Sequence, residues 1–250
     1  MIWYQGWSQL PEKYVANVEA TIAQNPDWKI FRWDDASIRP LLKYLGQQYL
    51  DKYESFKILH QKIDFARYAI LYALGGISID VDAKAVKSFN EIPFINEKDF
   101  IVGYSPLDSV GNAVQGNERR AINNSVIISS KNNPILKEVL DYILTLDCKS
   151  GQSDFSCIIF TTGQSFNEVL YKHKDEITIL DNSYFESCHG NDEGCEFSPN
   201  AIIEHKHAQT WVPENYQTLA KAYYWSKKNF IPLAVFIGLI ILVIYLFKKE

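Results

Sequence analysis

DFARYAILYALGGISIDVD, residues 64–82, is the stretch from which the rest of the chain is read. Residues 56–74 carry helical apolar spacing and stop at Gly75-Gly76. Glycine just past a helix end is the residue that tolerates positive φ. Asp64 and Arg67 stand three apart on that helix, so both side chains share one face. Residues 77–81 then read as a strand, in which Asp80 and Asp82 project to one side and Val81 to the other. The strand is apolar up to Ile79, so its carboxylates emerge at the C-terminal end, the edge where open α/β sheets bind ligands. Two carboxylates so close repel unless a cation lies between them, and hard oxygen ligands favour Mg2+ or Mn2+. Such an ion bridges a diphosphate and neutralises charge on a departing nucleoside diphosphate. A bare D-x-D is weak evidence, being more often a solvated turn or a helix cap. A phosphatase with an aspartyl nucleophile also uses D-x-D, but near its N-terminal strand and followed by x-Thr or x-Val. Here Ala83-Lys84 follows.

Working outward, strands and helices alternate. Strands are expected at 2–4, 29–33, 100–104, 125–129, 177–180 and 201–204, and helices at 11–23, 38–50, 134–146 and 163–174. Asp34-Asp35 is placed to cap the helix after the second strand. The alternation predicts an α/β fold with a mostly parallel sheet covered by helices. Residues 105–120 are polar and read as a long loop of the kind that serves as a lid.

Apart from its last stretch, the chain leaves about 220 residues to fold, enough for one substantial domain. With net charge −5 and no large Lys/Arg cluster, nucleic acid is excluded as a partner. Residues 230–247, FIPLAVFIGLIILVIYLF, hold no charge. As a helix they would span roughly 27 Å, close to a ~30 Å hydrocarbon core. Tyr223, Tyr224 and Trp225 precede this run as a candidate interfacial belt, and Lys227, Lys228, Lys248 and Lys249 bracket it. The expected organisation is a globular domain at 1–222, a juxtamembrane linker at 223–229, a transmembrane helix at 230–247 and a short tail at 248–250. That makes a single-pass, C-terminally anchored membrane protein, with an endomembrane location favoured and the face of the membrane open. No signal peptide is read at the N-terminus. Cys148 with Cys157 and Cys188 with Cys195 form two sequence-local pairs, which suit an oxidising lumen, although free thiols are as ordinary in cytosol. Asn123-Asn124-Ser125 is the one glycosylation sequon, close to the chance expectation.

The run D-x-x-R-Y-x-x-L-Y-x-x-G-G-I-x-x-D-x-D resembles glycosyltransferase family 32, the DXD sugar transferases that include yeast-type mannosyltransferases and inositol-phosphoceramide mannosyltransferases. More distantly it resembles the clostridial glucosylating toxin domains. Weaker matches extend along the chain: residues 2–7, Asn25-Pro26-x-Trp28, Trp33-Asp34-Asp35, residues 124–134, Thr162-Gly163 and residues 205–211. Three positions depart from the family pattern: Tyr4 replaces a histidine, Ser78 a tyrosine and Gln164 a proline.

The resemblance implies a GT-A type, Rossmann-like fold and metal-dependent transfer, with retention at the anomeric carbon. The sugar would be a hexose, mannose-like favoured, moved from a UDP- or GDP-sugar to a hydroxyl of a lipid-linked or glycan acceptor at a membrane. By that resemblance Trp7 stacks on the base, Asp64 and Arg67 hold ribose or donor sugar, and Asp80 meets donor and, through water, the metal. Asp82 ligates Mn2+ or Mg2+ directly, and Trp211 donates to the diphosphate. His205 is the candidate third ligand or phosphate contact, with His207 as its alternative, and Asn124 is a sugar contact. Asp80, Asp82 and Arg67 form the catalytic set. The rival class is a non-catalytic, membrane-anchored nucleotide-sugar or glycan-binding protein, against which the intact D-x-x-R and D-x-D argue.

Overall fold

The computed structural model describes residues 2–3, 10–106, 119–189, 194–205, 207, 212–229, 235 and 238. In chain order the strands are β1 (Ile2–Trp3), β2 (Arg32–Trp33), β3 (Gly76–Ile79), β4 (Ala83–Ala85), β5 (Phe100–Tyr104), β6 (Ile122–Ser129), β7 (Thr178–Leu180) and β8 (Ile203–His205). The helices are α1 (Glu12–Gln24), α2 (Asp35–Leu45), α3 (Gln47–Ser55), α4 (Leu59–Leu74), α5 (Pro134–Leu144), α6 (Asp154–Ile158), α7 (Gln164–Lys172) and α8 (Glu214–Lys228). A π-helical turn, Ile159–Gly163, joins α6 to α7.

The main sheet has the order β2-β1-β3-β6-β5-β7, and β4 pairs with β8 in a second, two-stranded ribbon. The sheet is mixed but mostly parallel, as expected: five of its six strands run one way and only β6 runs against them. β1 runs parallel to β2 and β3, and β5 parallel to β7, but the central β6 is antiparallel to both of its neighbours. Tyr104 lies opposite Ile122, and Ser105 N–H donates to Ala121 O at 2.8 Å. Successive strands whose adjoining ends pair in this way can only be antiparallel. The register then jumps from Val102 opposite Ile127 to Gly103 opposite Asn123, so residues 124–126 bulge. Bulges gather beside active sites because they re-aim side chains.

Alternation along the strands splits the core into two layers. Phe100 and Val102 of β5 pack with Phe65, Tyr68 and Leu71 of α4 on one face. Ile101 and the β3 pair Ile77 and Ile79 pack with Val18 of α1 on the other. Asp34 caps α2 as expected: its carboxylate accepts the Ser37 N–H at 2.8 Å, and Ser37 Oγ in turn accepts the Asp34 N–H at 2.9 Å. The helix expected over 38–50 breaks at Gly46 into α2 and α3. Most of the expected lid, residues 107–118, lies outside the described residues.

Both local cysteine pairs are disulfides, Cys148–Cys157 and Cys188–Cys195, with Cα–Cα distances of 5.3 and 5.9 Å. Helix α8 runs through most of the segment assigned to a linker, with Tyr224 and Ser226 buried against the domain. Tyr224 therefore packs inward instead of joining an interfacial belt, whereas Trp225 is 62% exposed. No helix among the described residues is long and apolar enough to cross a membrane. Of the apolar run 230–247, only Val235 and Gly238 are described.

Candidate active site

Strand β3 ends at Ile79, before either aspartate, whereas the expected strand ran to residue 81. Asp80 opens a turn: its N–H donates to Ser125 O, and its carbonyl accepts the Ala83 N–H, each at 3.1 Å. Asn17 of α1 braces the turn by donating to Val81 O at 3.2 Å. Asp80 and Asp82 therefore converge through a turn and not by strand alternation. The turn leads into β4, where Ala83 lies opposite His205 of β8. That register sets His205 Nε2 at 3.1 Å from Asp82 Oδ1 and 3.9 Å from Asp80 Oδ2. One ligand atom from each of Asp80, Asp82 and His205 lies within 4.8 Å of the others, a spacing that could hold one metal ion.

Behind the turn stands α4. Its C-terminal Gly75 takes φ 71°, and a Cβ there would lie 2.7 Å from Lys131 N. Only glycine lets α4 reverse this tightly against the end of β6. The reversal aims Arg67, 4% exposed, at the paired-aspartate turn. Its guanidinium bonds Asp80 Oδ1 and Asn124 O, and its Nε lies 4.0 Å from Asp64 Oδ1. Burial alone would pull Arg67 down, but Asp80 and Asp64 beside it hold it above the usual arginine range. Asp64 is pushed up by burial, opposed by Arg67 and by the Thr162 hydroxyl that donates to it at 2.8 Å. The Asn124 amide donates to Asp64 and to the Tyr68 hydroxyl, both at 2.9 Å. Arg67 and Asn124 thus face other protein groups, and both act first as struts for the two aspartates.

A second set of groups backs His205. Glu186, 1% exposed, presents its two oxygens to His205 Nδ1 at 3.1 and 3.2 Å and accepts the Ser125 hydroxyl. The sequon serine is therefore enclosed within the site. Burial would raise Glu186, but His205 and His207 hold it down at about 2. Burial likewise opposes charge on His205, and Glu186, then Asp82, raise it well above the ordinary histidine value. The His207 ring stacks on His205 with centroids 3.8 Å apart, and its Nε2 lies 2.7 Å from Glu186 Oε2. His189 lies beyond it at 6.0 Å, and Tyr224 of α8 stacks on His189 at 4.9 Å. His189 is brought down to about 4, chiefly by burial and then by His207.

Trp7, Trp211 and Tyr4 lie outside the described residues. Gln164 opens α7, beyond the π turn that carries Thr162. Sequence reasoning missed Glu186, Thr162 as a partner of Asp64, and His60. His60 sits one helical turn before Asp64 on α4; burial lowers it, opposed by Asp80. Spacing along α4 could have flagged His60, whereas nothing local marks Glu186.

An α/β sheet that delivers paired aspartates to a turn, beside a buried arginine and a histidine, is the frame of a sugar transferase. Residues 11–99 match the family model described as a glycosyltransferase sugar-binding region containing a DXD motif, and the chain resembles the glycosyltransferases of that family. An uncharacterized glycosyltransferase of Acanthamoeba polyphaga mimivirus is 29% identical over 235 residues, 90% of this chain and 86% of that protein. Inositol phosphoceramide mannosyltransferase 3 of Schizosaccharomyces pombe is 27% identical over 170 residues, 67% of this chain and 43% of that protein. The chain thus spans less than half the length of this yeast relative. The solved structure titled PaToxG Glycosyltransferase shares the fold, with a TM-score of 0.51 and 20% identity over 69% of this chain and 68% of that one.

Proposed function

We propose that this chain is a metal-dependent, retaining hexosyltransferase that moves a mannose-like sugar from a nucleotide-diphosphate donor to a hydroxyl of a lipid-linked or glycan acceptor. The convergence of Asp80, Asp82 and His205 within 4.8 Å carries the reading. Two carboxylates and an imidazole fit Mn2+ better than Mg2+, which keeps to oxygen ligands. A bound divalent cation would supply charge neutralisation for the diphosphate leaving group. The chain's own contribution is orientation. Arg67 fixes Asp80, Thr162 and Asn124 fix Asp64, and the exposed edge of Asp80 remains available to the donor. Trp7 on the base and Trp211 on the diphosphate complete the proposed donor site. The name of the yeast relative supports mannose as the sugar.

The anchor belongs to the same proposal. The folded domain extends through α8, and the uncharged run 230–247 that follows in sequence would serve as a single span. Exposed Trp225 then lies at the membrane interface. Two disulfides support an oxidising compartment, hence a lumen-facing domain in the endomembrane system. Tethering raises the effective concentration of membrane-borne acceptors.

The test is hydrolysis and transfer from a panel of UDP- and GDP-sugars with Mn2+, comparing full-length protein in vesicles with Asp82→Ala. Turnover that needs Mn2+ and vanishes in the variant is expected. No turnover of any donor by the wild-type chain would remove the enzyme reading.

A further inference from the structure

Glu186 belongs to no motif in the sequence, yet it is the most enclosed carboxylate among the described residues. A buried carboxylate is costly unless it is fully hydrogen-bonded. Here Ser125 donates to one oxygen, both oxygens face His205 Nδ1, and His207 closes the remaining side. Because Nδ1 is taken up by Glu186, the other ring nitrogen, Nε2, is the one that faces Asp82 and Asp80. An imidazole has one lone pair to offer a cation only when its proton sits on the opposite nitrogen, and a buried carboxylate at that nitrogen keeps it there.

We infer that Glu186 is a positioning residue for the cation site: it holds the His205 hydrogen on Nδ1 and turns the Nε2 lone pair toward the corner made by Asp80 and Asp82. This rests on the proposed metal reading and deepens it. The support for Glu186 comes from β6. Ser125 lies in the bulge at 124–126, and its own carbonyl accepts the Asp80 N–H. The residue that steadies Glu186 therefore also steadies the first aspartate, so the two sides of the corner keep a common spacing. A carboxylate that merely neutralised a buried imidazolium would need no such alignment of Nε2 with two further carboxylates.

The experiment is pulsed electron paramagnetic resonance of the full chain loaded with Mn2+ alone. Wild type should show nitrogen hyperfine modulation from a directly bound imidazole. Glu186→Gln keeps the size of the side chain but offers Nδ1 an amide. It should still bind Mn2+ through Asp80 and Asp82 while losing the nitrogen modulation, so that its spectrum matches that of His205→Ala. Wild-type modulation persisting in Glu186→Gln would overturn the inference while leaving the metal reading intact. Bound Mn2+ without nitrogen modulation in wild type would remove His205 as a ligand, and this inference with it. Should Glu186→Gln fail to fold, histidine NMR of the Zn2+-loaded wild type decides: a proton on Nδ1 is expected, and a proton on Nε2 overturns the inference.

Discussion

Replacing Arg67 with lysine keeps the positive charge and removes the planar fork. In the wild type, one arm of the fork bonds Asp80 and the other bonds Asn124 O, while Nε faces Asp64. A lysine ammonium is a point donor on a flexible stem and cannot serve both arms at once. Losing one hydrogen bond to a charged group at a site only 4% exposed should cost about 1.5–3 kcal/mol. At roughly 2–4 °C per kcal/mol for a chain of this size, the melting temperature should fall by about 3–12 °C. Activity should suffer more than stability, because Asp80 loses the clamp that aims it at the donor. A displacement of about 1 Å in such a group costs on the order of 100-fold in rate. Differential scanning fluorimetry reads the first effect, and Mn2+-dependent donor hydrolysis at saturating donor reads the second. A variant that melts within about 1 °C of wild type and turns over within about twofold would refute the role of Arg67 as the strut of Asp80.

Four further outcomes follow from the structure. Gly75→Ala places a Cβ 2.7 Å from Lys131 N at φ 71°, so chemical denaturation should show a loss of about 2 kcal/mol or more. His173 is raised above 6.5 by hydrogen bonds to Glu138 and Glu176, opposed by burial. Its stabilising contribution is present below the unfolded value and lost as pH rises through the folded one, so the melting gap between wild type and His173→Gln should be widest near pH 6 or below and close at alkaline pH. Tyr224→Ala removes the outer ring of the stack leading through His189 and His207 to His205, and should cost about 2–4 kcal/mol and weaken Mn2+ binding by titration. Trp225→Ala, at an exposed position, should leave the domain's stability within about 0.5 kcal/mol.

Local spacing made half of the site legible. A three-residue interval on a helix and a double-glycine stop are short-range facts, and they placed Asp64, Arg67 and the paired aspartates correctly beside one another. The geometry of the pair was legible only in part. The period-two rule put both carboxylates on one face of a strand, whereas the strand stops at Ile79 and a turn braced by Asn17 and Ser125 does the work. The antiparallel β6 escaped because alternating elements look alike whichever way a strand runs. Glu186 escaped for a deeper reason. Its partners Ser125 and His205 lie 61 and 19 residues away, and only the closed sheet brings them together.

The two halves of the site meet at the bulge of β6, and this explains why a central strand departs from its register there. Asn124 turns toward α4, donating to Asp64 and Tyr68. Its neighbour Ser125 turns the other way, donating to Glu186 behind His205. Between them the backbone holds both ends of the corner: Asn124 O accepts from Arg67, and Ser125 O accepts from Asp80 N–H. A regular ladder from Val102 to Gly103 would carry these residues past their partners, because shifting a strand by one residue reverses every side chain. The bulge therefore fixes the distance between the α4 carboxylate and the β8 histidine, two groups that share no contact of their own among the described residues. The DXD family match ends at residue 99, so the strand and the histidine that complete the corner lie beyond it. It follows that the aspartate pair alone does not define the proposed metal corner: its third member depends on how β6 is bent.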